Sequence, residues 1–204
     1  MLNHILTLII GYLLGSISSG VLLSRAFAHS DIRKQGSGNS GTTNMLRVMG
    51  RKMALITLAC DMLKGIVAVF IGRWLVGGTQ GEILGALGAI LGHNFPVFFG
   101  FKGGKGIATS FGCLLIVFPP QTLAAFAVFL ILFLVTHYVS VGSIGAAVTL
   151  PIFVLLTTEY DPIIWTAVVF VGLLAIARHS QNIVRLMHHT ENKIDFSVFK
   201  EKKQ

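Results

Sequence analysis

Seven stretches of apolar sequence, at about residues 4–24, 53–76, 82–99, 106–119, 121–137, 143–158 and 161–178, take up most of this 204-residue chain. No remaining stretch is long enough to build a core of its own. A helix of ~20 apolar residues crosses the hydrocarbon of a bilayer, and there every backbone polar group must be satisfied within the spanning structure. The chain is therefore expected to fold as an all-α, polytopic membrane helix bundle, with residues 1–204 as a single integral membrane domain. Its charge content agrees, since only 12% of residues are charged against ~25% in soluble domains.

The fourth and fifth stretches are short and are separated by Pro119-Pro120, which ends one helix and starts another. Counting them separately gives about seven spans. Lys and Arg favour the cytoplasmic side. With the N-terminus outside, all of them except Lys64 and Arg73 fall on the inner face, including Lys193, Lys200, Lys202 and Lys203, and the C-terminus is cytoplasmic. Six spans would split the basic residues between faces. The first apolar run has no preceding Lys or Arg and is too long for a signal peptide, so it reads as a retained helix. The net charge of +8 is scattered between spans rather than clustered, which argues against a nucleic-acid partner. Cys60 and Cys113 lie in apolar sequence and read as buried, inert thiols.

Three polar, glycine-rich islands interrupt the apolar pattern, and the seven-span count puts all three on the inner face. The first is Gly36-Ser-Gly-Asn-Ser-Gly-Thr-Thr-Asn44, followed by Arg47. Its Gly36-x-Gly38-x-x-Gly41 spacing matches a dinucleotide fingerprint only on paper, because no strand precedes it. Glycines that turn N–H groups to a ligand, donors from Ser37, Asn39 and Asn44, and an arginine one turn on still suit a phosphate. The second island, Phe101-Lys-Gly-Gly-Lys-Gly106, follows Gly92-His93-Asn-Phe-Pro and opens the next helix. Lys105 has a P-loop look, but the spacing is one residue short and Gly106 replaces the Ser or Thr. Cations such as Lys102 and Lys105 are unfavourable at a helix N-terminus unless an anion binds there. His93 is open to two readings, a helix terminator or a ligand contact. The third island, Arg178-His179-Ser-Gln-Asn182 with Arg185, puts cations and amides at spacings of three and four on one helical stripe. Ser140 and Ser143 add hydroxyls on the same membrane face. Within the second span Asp61 and Lys64 share a helix face, either as a structural ion pair or to orient the site. Arg73, near that span's outer end, is expected to snorkel. His188-His189 has no further ligands nearby, so no metal and no cofactor are expected.

The runs GSGNSGTTNMLR, GHNFPVFFGFKGGKGIAT and RHSQNIVRL, with Asp61-Met-Leu-Lys64-Gly65 and the Ser140–Ser143 segment, resemble the bacterial acyl-phosphate:glycerol-3-phosphate acyltransferases along the whole chain. The resemblance implies an inner-membrane enzyme that moves a fatty acyl group from acyl phosphate to the 1-hydroxyl of glycerol 3-phosphate, giving lysophosphatidic acid. It implies that Ser37, Arg47, Lys105, His179 and Asn182 hold glycerol 3-phosphate. The backbone of Gly103, Gly104 and Gly106 would cradle the acyl phosphate, with Ser140 or Ser143 contributing. Ser40 and Thr42 stand where proline and alanine are common in that family. The expected partners are the two phosphates and membrane lipid, with no obligatory protein partner. Acyl phosphate is already activated, and no Ser-His-Asp relay or H-x4-D pattern is present, so direct attack is expected, the proton going to a substrate phosphate or to His179. The alternative reading is a phosphate or organic-anion transporter, which would place its polar groups at the bilayer midplane.

Overall fold

A computed structural model describes residues 1–194, and among these there is helix and loop but no strand. Lys200, Lys202 and Lys203 lie outside the described residues. The helices are α1 Leu2–Gly15, α2 Ser19–Ala28, α3 Thr42–Leu75, α4 Gly78–Asn94, α5 Ile107–Val117, α6 Pro119–Thr136, α7 Val139–Thr157, α8 Pro162–Arg178 and α9 Ser180–Met187, with single 3₁₀ turns at Ile32–Lys34 and Val97–Phe99.

All seven expected segments are helical, but they are not seven equal spans. Five are long and apolar enough to cross a membrane: α1 with α2, α3, α4 with the turn after it, α6 and α7. A sixth forms only if α8 and α9 are taken together across a 50° bend. The correction concerns α5. Its 11 residues rise only ~16 Å, about half the hydrocarbon thickness. Its C-terminal end is joined to α6, which is 18 residues long and returns to the island face. The difference of seven residues sinks the start of α5 by ~10 Å relative to the end of α6. Packing agrees, because Thr109 in the first turn of α5 abuts Gly65, well inside α3.

One half of the bundle is built on glycine. Gly81, Gly85, Gly88 and Gly92 of α4 recur every three or four residues and lie against backbone on both sides, towards Gly72 and Ala68 of α3 and Leu8 and Tyr12 of α1. Small residues let helix backbones approach where lipid offers no hydrophobic drive for association. A Cβ on Gly88 would meet the Leu8 carbonyl oxygen at 2.6 Å. In the other half, Gly142 and Gly145 of α7 lie against Phe129 and Leu132 of α6, and Gly172 of α8 against Ala147 and Pro151 of α7.

Helix α3 contains one break, at Gly50, where φ is +80° and ψ is −176°. A left-handed residue there costs glycine little. It separates a short arm, which carries Arg47, from the long span that carries Asp61 and Lys64. At the far end Arg73 does more than snorkel, since it pairs with Glu82 at 2.5 Å. Cys113 is buried as expected, but Cys60 is exposed on the outer surface of α3.

Candidate active site

The first island is shaped by Asn44. Its buried side-chain amide donates towards the carbonyls of Ile32, Gln35 and Asn39, and its Oδ1 accepts the Ser37 N–H at 2.8 Å. Asn44 is thus an organiser of the loop and not a free donor. Asn39 Oδ1 accepts from the Gly41 N–H at 2.8 Å, turning the chain into α3. Arg33, clamped by Asp31, donates to the carbonyls of Phe99 (2.7 Å) and Lys102 (3.1 Å), which ties the first island to the second.

The second island is held from two sides. Arg178 donates to the carbonyls of Gly103 and Gly104 and lies over the Phe95 ring. The Gly104 N–H donates to the His93 carbonyl at 3.1 Å. Two expectations change here. The Gly104 N–H is already engaged with the His93 carbonyl, and Arg178 serves loop carbonyls as well as lining a polar cavity. Gly103 and Gly104 are glycine because a Cβ would strike His93, at its carbonyl and at its ring respectively. The N–H groups of the first turn of α5, after Gly106 with φ +83°, have no partner within the helix.

His93 is fixed by a buried cluster. The Lys64 ammonium has three donors and uses them on Asp61 Oδ1 (2.8 Å), the Ile17 carbonyl (2.8 Å) and His93 Nδ1 (3.0 Å). Asp61 Oδ1 also accepts from Ser19 Oγ at 2.9 Å. Nδ1 therefore acts as acceptor, and Nε2 bears the proton that faces Gly104. The expected Asp61–Lys64 pair is present, and it reaches the second island through His93.

The three islands meet at one end of the bundle. Lys105 Nζ donates to Asn182 Oδ1 at 2.6 Å, and Asn182 Nδ2 donates to Glu191 Oε1 at 2.6 Å. The same carboxylate accepts from Ser140 Oγ (3.0 Å) and Arg185 Nε (2.7 Å). Arg47 donates to the Asn192 carbonyl. His179 is buried, with Nδ1 at 2.8 Å from the Ala175 carbonyl oxygen. A carbonyl only accepts, so Nδ1 carries the hydrogen and the Nε2 lone pair of the neutral ring is free. Glu191 was missed by sequence reasoning, although a lone acid within the basic stretch from Arg178 to Lys193 was a usable signal. Burial, with repulsion from Arg185, Arg47 and Arg178, lowers the Lys105 pKa to about 8, against the partial support of Glu191. Hydrogen bonds from Arg185, Asn182 and Ser140 hold Glu191 below the usual carboxylate range despite its burial.

Two cavities share this junction. The larger, of about 430 Å³, runs from Ser37, Arg47, Lys105, Ser140, Ser143, His179 and Asn182 into an apolar compartment walled by Leu58, Met62, Phe111, Leu114, Ala125, Phe126, Phe129, Leu150 and Val171. The smaller, of about 330 Å³, is polar and is lined by Lys102, Gly103, Arg178, Gln181 and Arg185. Ser37, Asn39, Lys105 and Asn182 line both. Of the expected residues, Lys102 and Gly103 lie only in the polar vestibule, Gly104 lines neither cavity, and Asn44, Asp61 and His93 border the larger cavity from positions already engaged with their own partners. Among the described residues no three His, Cys, Asp or Glu side chains converge as a metal site requires.

Comparison with known proteins places this geometry. Residues 5–189 match the family described as glycerol-3-phosphate acyltransferase. A protein of that name from Syntrophotalea carbinolica is 45% identical over 195 residues, covering 95% of this chain and 98% of its own. One from Streptococcus thermophilus is 40% identical over 201 residues, covering 95% and 94%. The crystal structure of PlsY (YgiH), an integral membrane glycerol 3-phosphate acyltransferase, in its glycerol 3-phosphate form, superposes with a TM-score of 0.89 at 35% identity, covering 97% of this chain and 99% of the other. Its lysophosphatidic acid form superposes with a TM-score of 0.85. The chain belongs to the glycerol-3-phosphate acyltransferase family and is an integral membrane enzyme of phospholipid synthesis.

Proposed function

We propose that the enzyme takes its acyl group from acyl phosphate and transfers it to the 1-hydroxyl of glycerol 3-phosphate, releasing lysophosphatidic acid and inorganic phosphate. The observation that carries this is the larger cavity, which joins a cation-lined polar mouth to an apolar compartment. A donor with a phosphate head and a hydrocarbon tail fits both ends. The polar vestibule, meeting the same mouth at Ser37, Asn39, Lys105 and Asn182, suits the small, water-soluble acceptor.

In this reading Arg47, Lys105, Ser37 and Asn182 hold the glycerol 3-phosphate. Lys105 and the N–H groups at the start of α5 serve the donor phosphate, with Ser140 and Ser143 on the opposite wall. The 1-hydroxyl oxygen attacks the acyl carbonyl carbon, the carbon–oxygen bond to phosphate breaks, and phosphate leaves. The hydroxyl proton passes to a phosphate oxygen of the donor, and His179 lines the wall beside the attacking oxygen. Holding both substrates at one junction supplies most of the rate, and the developing oxyanion is stabilised by Lys105 and N–H groups. No covalent acyl-enzyme is involved. The island face is cytoplasmic, with the N-terminus outside, in a bacterial inner membrane. An anion transporter would need a polar path through the bundle, and the inner end of the cavity is apolar.

The test is a mass-spectrometric assay of lipid-embedded protein with glycerol 3-phosphate and, separately, acyl phosphate, acyl-CoA or acylated carrier protein. Acyl phosphate alone is expected to give lysophosphatidic acid, with an equal amount of inorganic phosphate. Equal use of the thioesters would overturn the donor assignment.

A further inference from the structure

Glu191 has no part in the reaction described above, yet its carboxylate links α7, α9 and the second island. Its side chain is only 5% exposed. Oε1 accepts from Ser140 Oγ of α7 and from Asn182 Nδ2 of α9, and Oε2 accepts from Arg185 Nε. A carboxylate only accepts, so it takes the NH2 end of the Asn182 amide. The amide is left with its oxygen towards Lys105, whose ammonium only donates and meets that oxygen at 2.6 Å. One hydrogen-bonded line therefore runs from Ser140 and Arg185 through Glu191 and Asn182 to Lys105. The charged and titratable groups acting on the ammonium are Arg47 of α3, Arg178 and His179 at the end of α8, and Arg185 of α9, besides Glu191. Asp61 and Glu191 are the two acids among the described residues that line either cavity, and Asp61 is tied to Lys64.

We infer that Glu191 is a positioning residue for Lys105: acting through Asn182, it holds the amide oxygen on the ammonium and sets a negative charge among the surrounding cations. The inference rests on the reading in which Lys105 receives the glycerol 3-phosphate. One carboxylate then does two separable things. As an acceptor it fixes Asn182. As a charge it helps to keep Lys105 protonated at neutral pH, against the burial and the arginines that bring its pKa down to about 8. Removing the charge alone should lower that midpoint further, by about one pH unit for a charge ~7 Å away at a half-buried site.

Wild-type, Glu191→Gln and Glu191→Asp proteins in nanodiscs would be compared between pH ~6.5 and ~9. Two quantities are read: the affinity for glycerol 3-phosphate, and the rate at which acetic anhydride labels Lys105 in substrate-free protein, measured by mass spectrometry. Glu191→Gln leaves an oxygen for Asn182 and Ser140 and removes the charge, so both midpoints should move down by about one pH unit. Glu191→Asp keeps the charge but draws the acceptor back from Asn182. Its midpoints should stay at the wild-type pH, while kcat/KM for glycerol 3-phosphate falls by about tenfold. A residue that only ties α7 to α9 would lower the unfolding temperature in both variants and leave every midpoint in place. Unmoved midpoints in Glu191→Gln, or wild-type kcat/KM in Glu191→Asp, would overturn the inference and leave the Lys105 reading intact. A labelling midpoint near the wild-type pKa beside an affinity that is flat with pH would overturn the Lys105 reading, and this inference with it.

Discussion

Lys105 offers a test by pH alone. Its ammonium is buried among arginines, and its pKa falls to about 8 from an ordinary 10.5. If the ammonium receives the glycerol 3-phosphate, only the protonated enzyme binds well. At pH 7 about 90% of the free enzyme then carries that proton, and at pH 9 about 10%. The sign follows from the depressed pKa: binding is strongest below pH 8 and weakens above it, with a proton taken up as the phosphate docks. The apparent affinity for glycerol 3-phosphate should fall by ~10-fold between pH 7 and pH 9, or ~1.4 kcal/mol. Few other groups titrate in that window. Phosphate monoesters lose their second proton near pH ~6, and Glu191 is held ionised by Arg185, Asn182 and Ser140. Isothermal titration of glycerol 3-phosphate into nanodisc-embedded enzyme at pH ~7, ~8 and ~9 reads this directly. Lys105→Arg, with a side chain that stays charged above pH ~12, should flatten the dependence even if it binds more weakly overall. A flat wild-type profile, or the same inflection in Lys105→Arg, would refute the argument.

Replacing Arg47 by Ala, or Lys105 by Met, should lower kcat/KM by ~10²–10³-fold without loss of membrane insertion, as expected for an electrostatic contact to the reacting groups; steady-state kinetics on folded protein decides. Gly104→Ala should drive the loop off His93 and reduce activity sharply. Gly100→Ala, at φ +66° with open space around it, should cost only ~1 kcal/mol of stability and spare turnover, and the two are separated by assaying activity beside thermal unfolding. Asp61→Ala leaves Lys64 without its carboxylate in a buried position and should destabilise by ~3–5 kcal/mol, visible as a large drop in the detergent unfolding midpoint.

Much of the fold was legible because apolar run length and Pro119-Pro120 leave few alternatives in a bilayer. The islands were legible for the opposite reason: polar glycine-rich sequence does nothing for a span, so it stands out. What escaped was relational. The Gly81, Gly85, Gly88 and Gly92 spacing was present in the sequence, but its meaning depends on two partner helices. Asn44 resembled one more donor beside Ser37 and Asn39, and only the fold shows its amide already committed to loop carbonyls. Gly104 likewise combined two roles in one letter, and the packing against His93 took the N–H that a phosphate cradle would have needed. Glu191 was passed over because an acid is not sought in an anion site, yet it collects Ser140, Asn182 and Arg185 at one carboxylate.

The half-length of α5 has a consequence for how lipids reach and leave the enzyme. A catalytic loop level with the headgroups would require the donor to rise, drawing the first methylenes of its tail into water at ~0.8 kcal/mol each. The start of α5 instead stops ~10 Å short of the level reached by the end of α6, which suits a donor that keeps its tail among its neighbours. The insoluble reactant and product can then travel sideways at constant depth. Only the glycerol phosphate, at home in water, has to make the vertical journey.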